Sequence, residues 1–220
     1  DYDKILKTTI RSSFGNQGQI CLCGERIFIQ SSLYDRFKED FVKETKKLKV
    51  NNPLSKTTNQ GSIVSRQHFD KILTYLKSAK KSGAIFLTGG KSKRLNGEYA
   101  NGWYIEPTII ENLDRNSQCY NEEAFGPVTS IHKFDKKEDV IKLANETKYG
   151  LAASIWTTDL STAHHVAKSI DFGIVWVNSW NLRDLRTPFG GMKESGLGRE
   201  GGDESLTFFS EPKNICINYE

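Results

Sequence analysis

Long apolar runs are missing from this sequence: no stretch approaches the roughly 18 to 20 consecutive apolar residues that span a bilayer. The opening Asp1, Tyr2, Asp3 and Lys4 also lack the basic-then-apolar layout of a secretion signal. A soluble, cytoplasmic protein with no membrane partner is expected. Cysteine is scarce, and the four present, Cys21, Cys23, Cys119 and Cys216, are too scattered for a disulfide framework. Reduced thiols in the cytosol are the expectation, which leaves each one available for reaction. Charge of one sign is not concentrated either. The 31 basic and 27 acidic residues give a net charge of +4, and clusters such as Lys46, Lys47 and Lys49 read as solvated helix faces, so nucleic acid is not an expected partner. Of the four histidines, His164 and His165 are adjacent and would point about 100 degrees apart on a helix. His68 and His132 lie singly, and the CxC pair Cys21/Cys23 has no second pair, so no metal site is expected. Internal repeats, low-complexity tracts and long linkers are absent, which excludes a solenoid or a disordered tail.

The residues that are present suit a globular protein of one ordinary domain or two small ones. Hydrophobic residues make 37% and the 18 glycines bring the apolar share to about 45%, the usual figure for a soluble fold. Arg26–Gln30 is β-branched and aromatic, a predicted strand, followed by Ser31 and Ser32 as candidate caps for a helix over about 32–48. A second helix is expected from a Ser65 cap, with Phe69, Ile72, Leu73 and Leu76 on one face and Gly83 as its stop. Strands are expected at 84–88, 103–110 (interrupted at Pro107), 128–134, 152–157 and 174–178, with helices after Asp135 (Glu138 completing a capping box) and over 160–170. Such alternation predicts an α/β fold with a largely parallel sheet and flanking helices. Pro212–Tyr219, with alternating Ile215 and Ile217, reads as a terminal strand.

Several stretches could carry chemistry. Cys21 follows the polar, glycine-bearing Asn16-Gln17-Gly18-Gln19 and immediately precedes a strand. It is either a small buried hydrophobe or a nucleophile, which would need amide donors, a positive potential or a base to form its thiolate. Glu122-Glu123-Ala124-Phe125-Gly126-Pro127 is either an exposed acidic turn anchored by one ring or a place where a carboxylate accepts from a ligand's paired hydroxyls. Arg183, Asp184 and Arg186 are either surface ion pairs or include an arginine that grips a substrate carboxylate. Gly196, Gly198 and Gly201 spell GxGxxG, yet they lie near the end of the sequence without room for a βαβ unit, so a flexible loop over 188–202 is the better reading.

Taken in order, NQGQIC around Cys21 with Arg26 following, YIEPTI, EEAFGPV, YGLAAS, GIVWVN and PFGGMKESGLGRE resemble the aldehyde dehydrogenase superfamily over essentially the whole chain. The resemblance implies the catalytic domain (1–209) followed by an oligomerisation strand (210–220), with the nucleotide-binding Rossmann domain absent. It implies Cys21 as nucleophile, Glu123 on the nicotinamide ribose and Phe125 beside the cofactor, NAD, with NADP left open. An oxyanion hole is implied at the Cys21 N–H together with an asparagine. That asparagine and the general-base glutamate lie upstream in the family, outside this chain.

Within the superfamily, Ser179–Gly191 looks most like the 2-aminomuconate and 2-hydroxymuconate semialdehyde dehydrogenases. Arg183 then falls at a pocket-lining position suited to a substrate carboxylate remote from its aldehyde, with Arg186 as second choice. Trp180, Leu182 and Phe189, with Ile20 and Leu22 beside the nucleophile, would shape the rest of the pocket. The implied activity is NAD-dependent oxidation of a small-molecule aldehyde, in a homo-oligomer, dimer or tetramer, joined through the terminal strand. The alternative is a shortened, inactive chain that acts only by associating with full-length subunits.

Overall fold

Ile109 and Ile110 are consecutive and both fully buried, because successive side chains of a strand face opposite sides of its sheet. Ile109 packs among Leu6, Phe14, Phe37 and Phe41, while Ile110 packs among Ile72, Tyr75, Leu76 and Ala79. One sheet therefore carries a helical layer on each face. The computed structural model describes all 220 residues.

The elements in chain order are α1 (Tyr2–Phe14), β1 (Arg26–Gln30), α2 (Ser31–Thr45), α3 (Arg66–Lys81), β2 (Ile85–Thr88), β3 (Ser92–Lys93), β4 (Tyr104–Ile105), β5 (Thr108–Glu111) and α4 (Gln118–Asn121). Then come β6 (Val128–Phe134), α5 (Lys137–Asn145), β7 (Tyr149–Gly150), β8 (Ala152–Ile155), α6 (Leu160–Ser169), β9 (Ile174–Val177), β10 (Met192–Lys193) and α7 (Gly202–Phe208). The main sheet has the order β1-β6-β5-β2. β1 runs parallel to β6 with Arg26 opposite Ser130, β5 runs parallel to β6 with Thr108 opposite Val128, and β2 alone is antiparallel. β8 and β9 form a separate parallel pair, so the expected α/β class with mostly parallel pairing is observed.

Helix α3 follows its sequence closely: the Ser65 side chain accepts from the His68 N–H at 3.2 Å and Gly83 takes φ +85 just past the end. Helix α2 begins directly after β1, and its cap differs from expectation. Gln30 occupies the cap position without a side-chain bond, while the Ser31 hydroxyl points across to the Phe134 carbonyl and the Asp135 carboxylate. That contact also prevents the Asp135–Glu138 capping box, and α5 starts at Lys137 without a side-chain cap.

Helix α1, for which the sequence reading made no provision, buries Leu6, Thr9, Ser13 and Phe14 on one stripe and is capped by Asp1. Phe14 stacks on Phe41 at 6.1 Å and Phe41 on Phe37 at 5.7 Å, joining α1 to α2 under the sheet. Burying rings of this size is worth roughly 2 to 3 kcal/mol each. The terminal strand expected at Pro212–Tyr219 does not form within the chain: residues 210–220 have no ladder partner and are exposed.

Candidate active site

The loop that carries Cys21 begins where α1 ends. Asn16, Gln17 and Gly18 take φ of +49, +57 and +70, a left-handed run that L-residues adopt only when held. Each polar side chain contributes to that hold. Asn16 donates to the Gln19 carbonyl at 3.1 Å, the Gln17 amide oxygen accepts the Gly61 N–H at 3.0 Å, and the Gln19 amide oxygen accepts the Val64 N–H at 3.1 Å. Gly18 is a steric necessity: a Cβ there would lie 1.9 Å from the Gly126 carbonyl oxygen. The loop is thus pressed, backbone to backbone, against the Gly126–Pro127 turn.

Cys21 itself is exposed and its N–H has no acceptor within the chain. The other two thiols nearby differ. Burial pushes the Cys23 thiol up to about 11 and the Cys119 thiol up to about 12, so both stay protonated and unreactive at neutral pH. The Trp180 indole N–H donates to the Leu22 carbonyl at 2.8 Å while the Arg11 guanidinium lies 5.3 Å from its ring, which ties the loop after β9 to the Cys21 segment and to α1. Cys21, Leu22, Trp180 and Glu123 line one cleft of about 940 Å³.

Glu122 and Glu123 are neighbours with different surroundings. Lys148 and Tyr149 bond to the Glu122 carboxylate at 2.9 and 3.0 Å and hold its pKa below the ordinary value. The exposed Glu123 side chain has no ion-pair or hydrogen-bond partner in the chain. Phe125 sits at φ +52, with its carbonyl accepting from His68 Nε2 at 2.6 Å, and Lys71 donates to the Glu123 carbonyl at 3.0 Å. The Ala124 and Phe125 N–H groups both go to the Glu25 carboxylate. Glu25, His68 and Lys71 were not singled out from sequence; the i, i+3 spacing of His68 and Lys71 on α3 was the available signal, but their partner lies more than fifty residues away.

The remaining expected pocket residues form a second group. The Arg183 guanidinium stacks over Phe189 at 4.1 Å and pairs with Glu200 at 3.1 Å. Phe189 and Glu200 exchange backbone hydrogen bonds at 2.7 and 2.8 Å. Leu182 is 72% exposed, and its carbonyl accepts from Trp176 Nε1 at 2.8 Å. Ile20 is half-buried beside Cys21. Ile20, Phe125, Leu182, Arg183 and Phe189 do not line the cleft that holds Cys21. Arg186 is occupied by Asp184 in a bidentate pair on the open surface, the bland reading of that cluster. The glycine-rich stretch is a folded loop: β10 pairs antiparallel with β7, Gly198 and Gly201 take positive φ, and α7 follows without a βαβ unit.

Residues 1–215 match the sequence model of the aldehyde dehydrogenase family. The chain is 46% identical over 220 residues to a 2-aminomuconic 6-semialdehyde dehydrogenase of a Pseudomonas species, covering 100% of this chain and 45% of that protein. It is 44% identical over 219 residues to 2-aminomuconic semialdehyde dehydrogenase of Mus musculus (99% and 45%). To 2-hydroxymuconic semialdehyde dehydrogenase of Pseudomonas sp. strain CF600 it is 44% identical over 217 residues (99% and 45%). The chain thus spans somewhat less than half the length of these relatives. A crystal structure of betaine aldehyde dehydrogenase from Staphylococcus aureus in complex with NAD+ superposes with a TM-score of 0.89 at 34% identity, over 95% of this chain and 41% of that one. The resemblance read from six short motifs is therefore matched by sequence and by fold, and the chain belongs to the aldehyde dehydrogenase family.

Proposed function

We propose that the complete protein containing this chain oxidises a carboxylate-bearing aldehyde, of the 2-amino- or 2-hydroxymuconate semialdehyde kind, to the acid, with Cys21 as nucleophile and NAD as oxidant. The observation that carries the reading is the locked approach of the Cys21 loop to the Glu123–Phe125 turn, with an exposed thiol on one side and an unpartnered carboxylate on the other. Glu123 lines the cleft and has both oxygens free to accept from the vicinal hydroxyls of a ribose, so it fits the nicotinamide end of the cofactor; Phe125 follows it in the turn but stands outside the cleft and enters the reading from the family resemblance. NAD, when bound, accepts the hydride.

The chain's own part is covalent and electrostatic. The Cys21 thiolate adds to the aldehyde carbon, converting the carbonyl to an oxyanion that the free Cys21 N–H is positioned to receive. Loss of hydride leaves a thioester on Cys21; water then cleaves the C–S bond, releasing the acid and restoring the thiolate. Arg183 is the carboxylate clamp of this reading, exchanging Glu200 for the remote carboxylate of the substrate through bidentate hydrogen bonds. Trp180 and Leu22, which line the Cys21 cleft, are the wall of this reading; Arg183, Leu182, Phe189 and Ile20 stand outside that cleft and enter the reading from the family resemblance alone.

In the complete protein, Arg183→Ala should lower kcat/KM for the acidic semialdehyde by roughly 10- to 100-fold, the worth of a charge-assisted pair, and leave a simple aliphatic aldehyde unaffected. Equal loss on both substrates, or no loss on either, removes the clamp. Cys21→Ala should abolish turnover altogether. Residues 206–220 are all exposed and include Phe208, Phe209, Ile215, Ile217 and Tyr219, which supports pairing of this segment with a second copy in a homo-oligomer. The competing reading, a shortened inactive chain that only associates with full-length subunits, uses the same surface; NADH formation by the protein isolated from its source would dismiss it.

A further inference from the structure

Four backbone groups of the Glu123–Phe125 turn are held by side chains from elsewhere, and one residue holds two of them. Glu25, four positions beyond Cys21, accepts the Ala124 N–H on Oε2 at 3.1 Å and the Phe125 N–H on Oε1 at 2.8 Å. The left-handed φ of Phe125 belongs to the kind of turn in which successive amides converge on one anion, and a carboxylate is the side chain whose two oxygens both accept. The Glu25 carboxylate forms no ion pair and has these two amides as its only hydrogen-bond partners in the chain, while the Glu25 carbonyl accepts from the Ser130 N–H at 2.8 Å.

The link from Glu25 back to Cys21 is short and pinned. Leu22 is buried and its carbonyl is taken by Trp180. The Gly24 N–H goes to Ser12 at 3.1 Å, and its carbonyl accepts from Thr129 at 3.0 Å. We propose that Glu25 is a positioning residue for the cofactor, a clamp that keeps Glu123 and Phe125 in fixed register with the Cys21 sulfur. The proposal rests on the reading of Glu123 as the ribose ligand. It adds a residue that touches neither substrate nor cofactor and acts through the turn. Its protonation would turn one acceptor into a donor facing an N–H and release half of the clamp. The titratable groups that face Glu25 are Glu123 on the turn, Lys71 and Tyr75 on α3, Cys119 on α4 and Cys23 on the nucleophile loop.

The test uses the complete protein and NAD itself. Glu25→Gln should raise KM for NAD roughly tenfold, the fold-change carried by a charge-assisted hydrogen bond, with kcat at saturating NAD within about twofold. Glu25→Asp, which keeps both oxygens, should recover most of the loss. Glu123→Gln serves as the separate check on the underlying reading. If it raises KM for NAD while Glu25→Gln does not, the clamp is wrong and the ribose assignment stands; if neither does, the ribose assignment itself fails. A Glu25→Gln variant that lowers kcat and the alkylation rate of Cys21 with KM for NAD unchanged also overturns the clamp. Should Glu25→Gln not fold, the pH profile decides. The Kd for NAD should weaken between about pH 8 and about pH 6 in both wild type and Glu123→Gln. A flat profile in wild type, or one that disappears in Glu123→Gln, overturns the clamp.

Discussion

Replacing Gly18 with alanine tests the close approach between the Cys21 loop and the Gly126–Pro127 turn opposite. The new Cβ would stand 1.9 Å from the Gly126 oxygen, 2.4 Å from its carbonyl carbon and 3.0 Å from the Pro127 nitrogen, at φ +70. An L-residue in that region costs roughly 1 to 2 kcal/mol before any contact is counted. The contact is with backbone, which has no rotamer to give. To restore ordinary distances the two segments must part by more than an ångström, enough to break hydrogen bonds such as those from Ala124 and Phe125 to Glu25. Two such bonds at roughly 1 to 1.5 kcal/mol each bring the total to about 3 to 5 kcal/mol. At about 2 to 4 °C per kcal/mol for a chain of this size, the melting temperature should fall by roughly 10 °C. Gly83→Ala is the matched control, since Gly83 has φ +85 with nothing within 4 Å of its Cβ position, and it should show the conformational cost alone. Thermal melts of the three proteins by circular dichroism measure both quantities. If Gly18→Ala melts with Gly83→Ala, the close packing of loop on turn is refuted.

Two further outcomes follow from the buried groups. Iodoacetamide at neutral pH should modify Cys21 and the exposed Cys216 at least about a hundredfold faster than Cys23 and Cys119, whose thiols are pushed up to about 11 and about 12; peptide mass spectrometry reads the order, and early labelling of Cys119 would contradict it. Burial also raises the Glu25 carboxyl from 4.5 to about 7, so between those values the native state keeps a proton that the unfolded chain has released. Its contribution to stability is present in full below about 4.5 and is lost as pH rises to about 7, by roughly 3 kcal/mol. Urea unfolding across that range should show the decline, and Glu25→Gln should remove it.

The helices and strands that were legible are those whose pattern is local. The stripe of Phe69, Ile72, Leu73 and Leu76 marks α3 because its period is visible within one segment, and Ser65 and Gly83 sit where a cap and a stop belong. The caps of α2 and α5 were misread because Ser31 and Asp135 meet each other across the sheet, 104 residues apart, and a local rule has no knowledge of that neighbour. The strand expected at 212–219 does not form because alternation alone makes no ladder, and residues 210–220 find no partner strand within the chain. Of the residues singled out through motifs, Cys21 and Glu123 share one cleft and Arg183 stands outside it. Gln17 and Gln19 of the Cys21 loop and the three side chains around Glu123–Phe125 act through backbone groups far along the chain, and that kind of contact leaves no trace in spacing.

Cys21 enters β1 and Glu123–Phe125 enters β6, and those strands are parallel neighbours. Both segments therefore stand at the amino-terminal rim of the sheet, whereas open parallel sheets usually bind ligands at the carboxyl rim. At the opposite rim β1 turns into α2 and β6 leads to the exposed Asp135–Lys136 corner, and Gln30, Phe134 and Asp135 from that end line the same cleft as Cys21. Lys136, exposed and outside that cleft, is the position at this rim where an engineer can attach a fluorophore, with the length of β6 between the tether and the segment that carries Cys21.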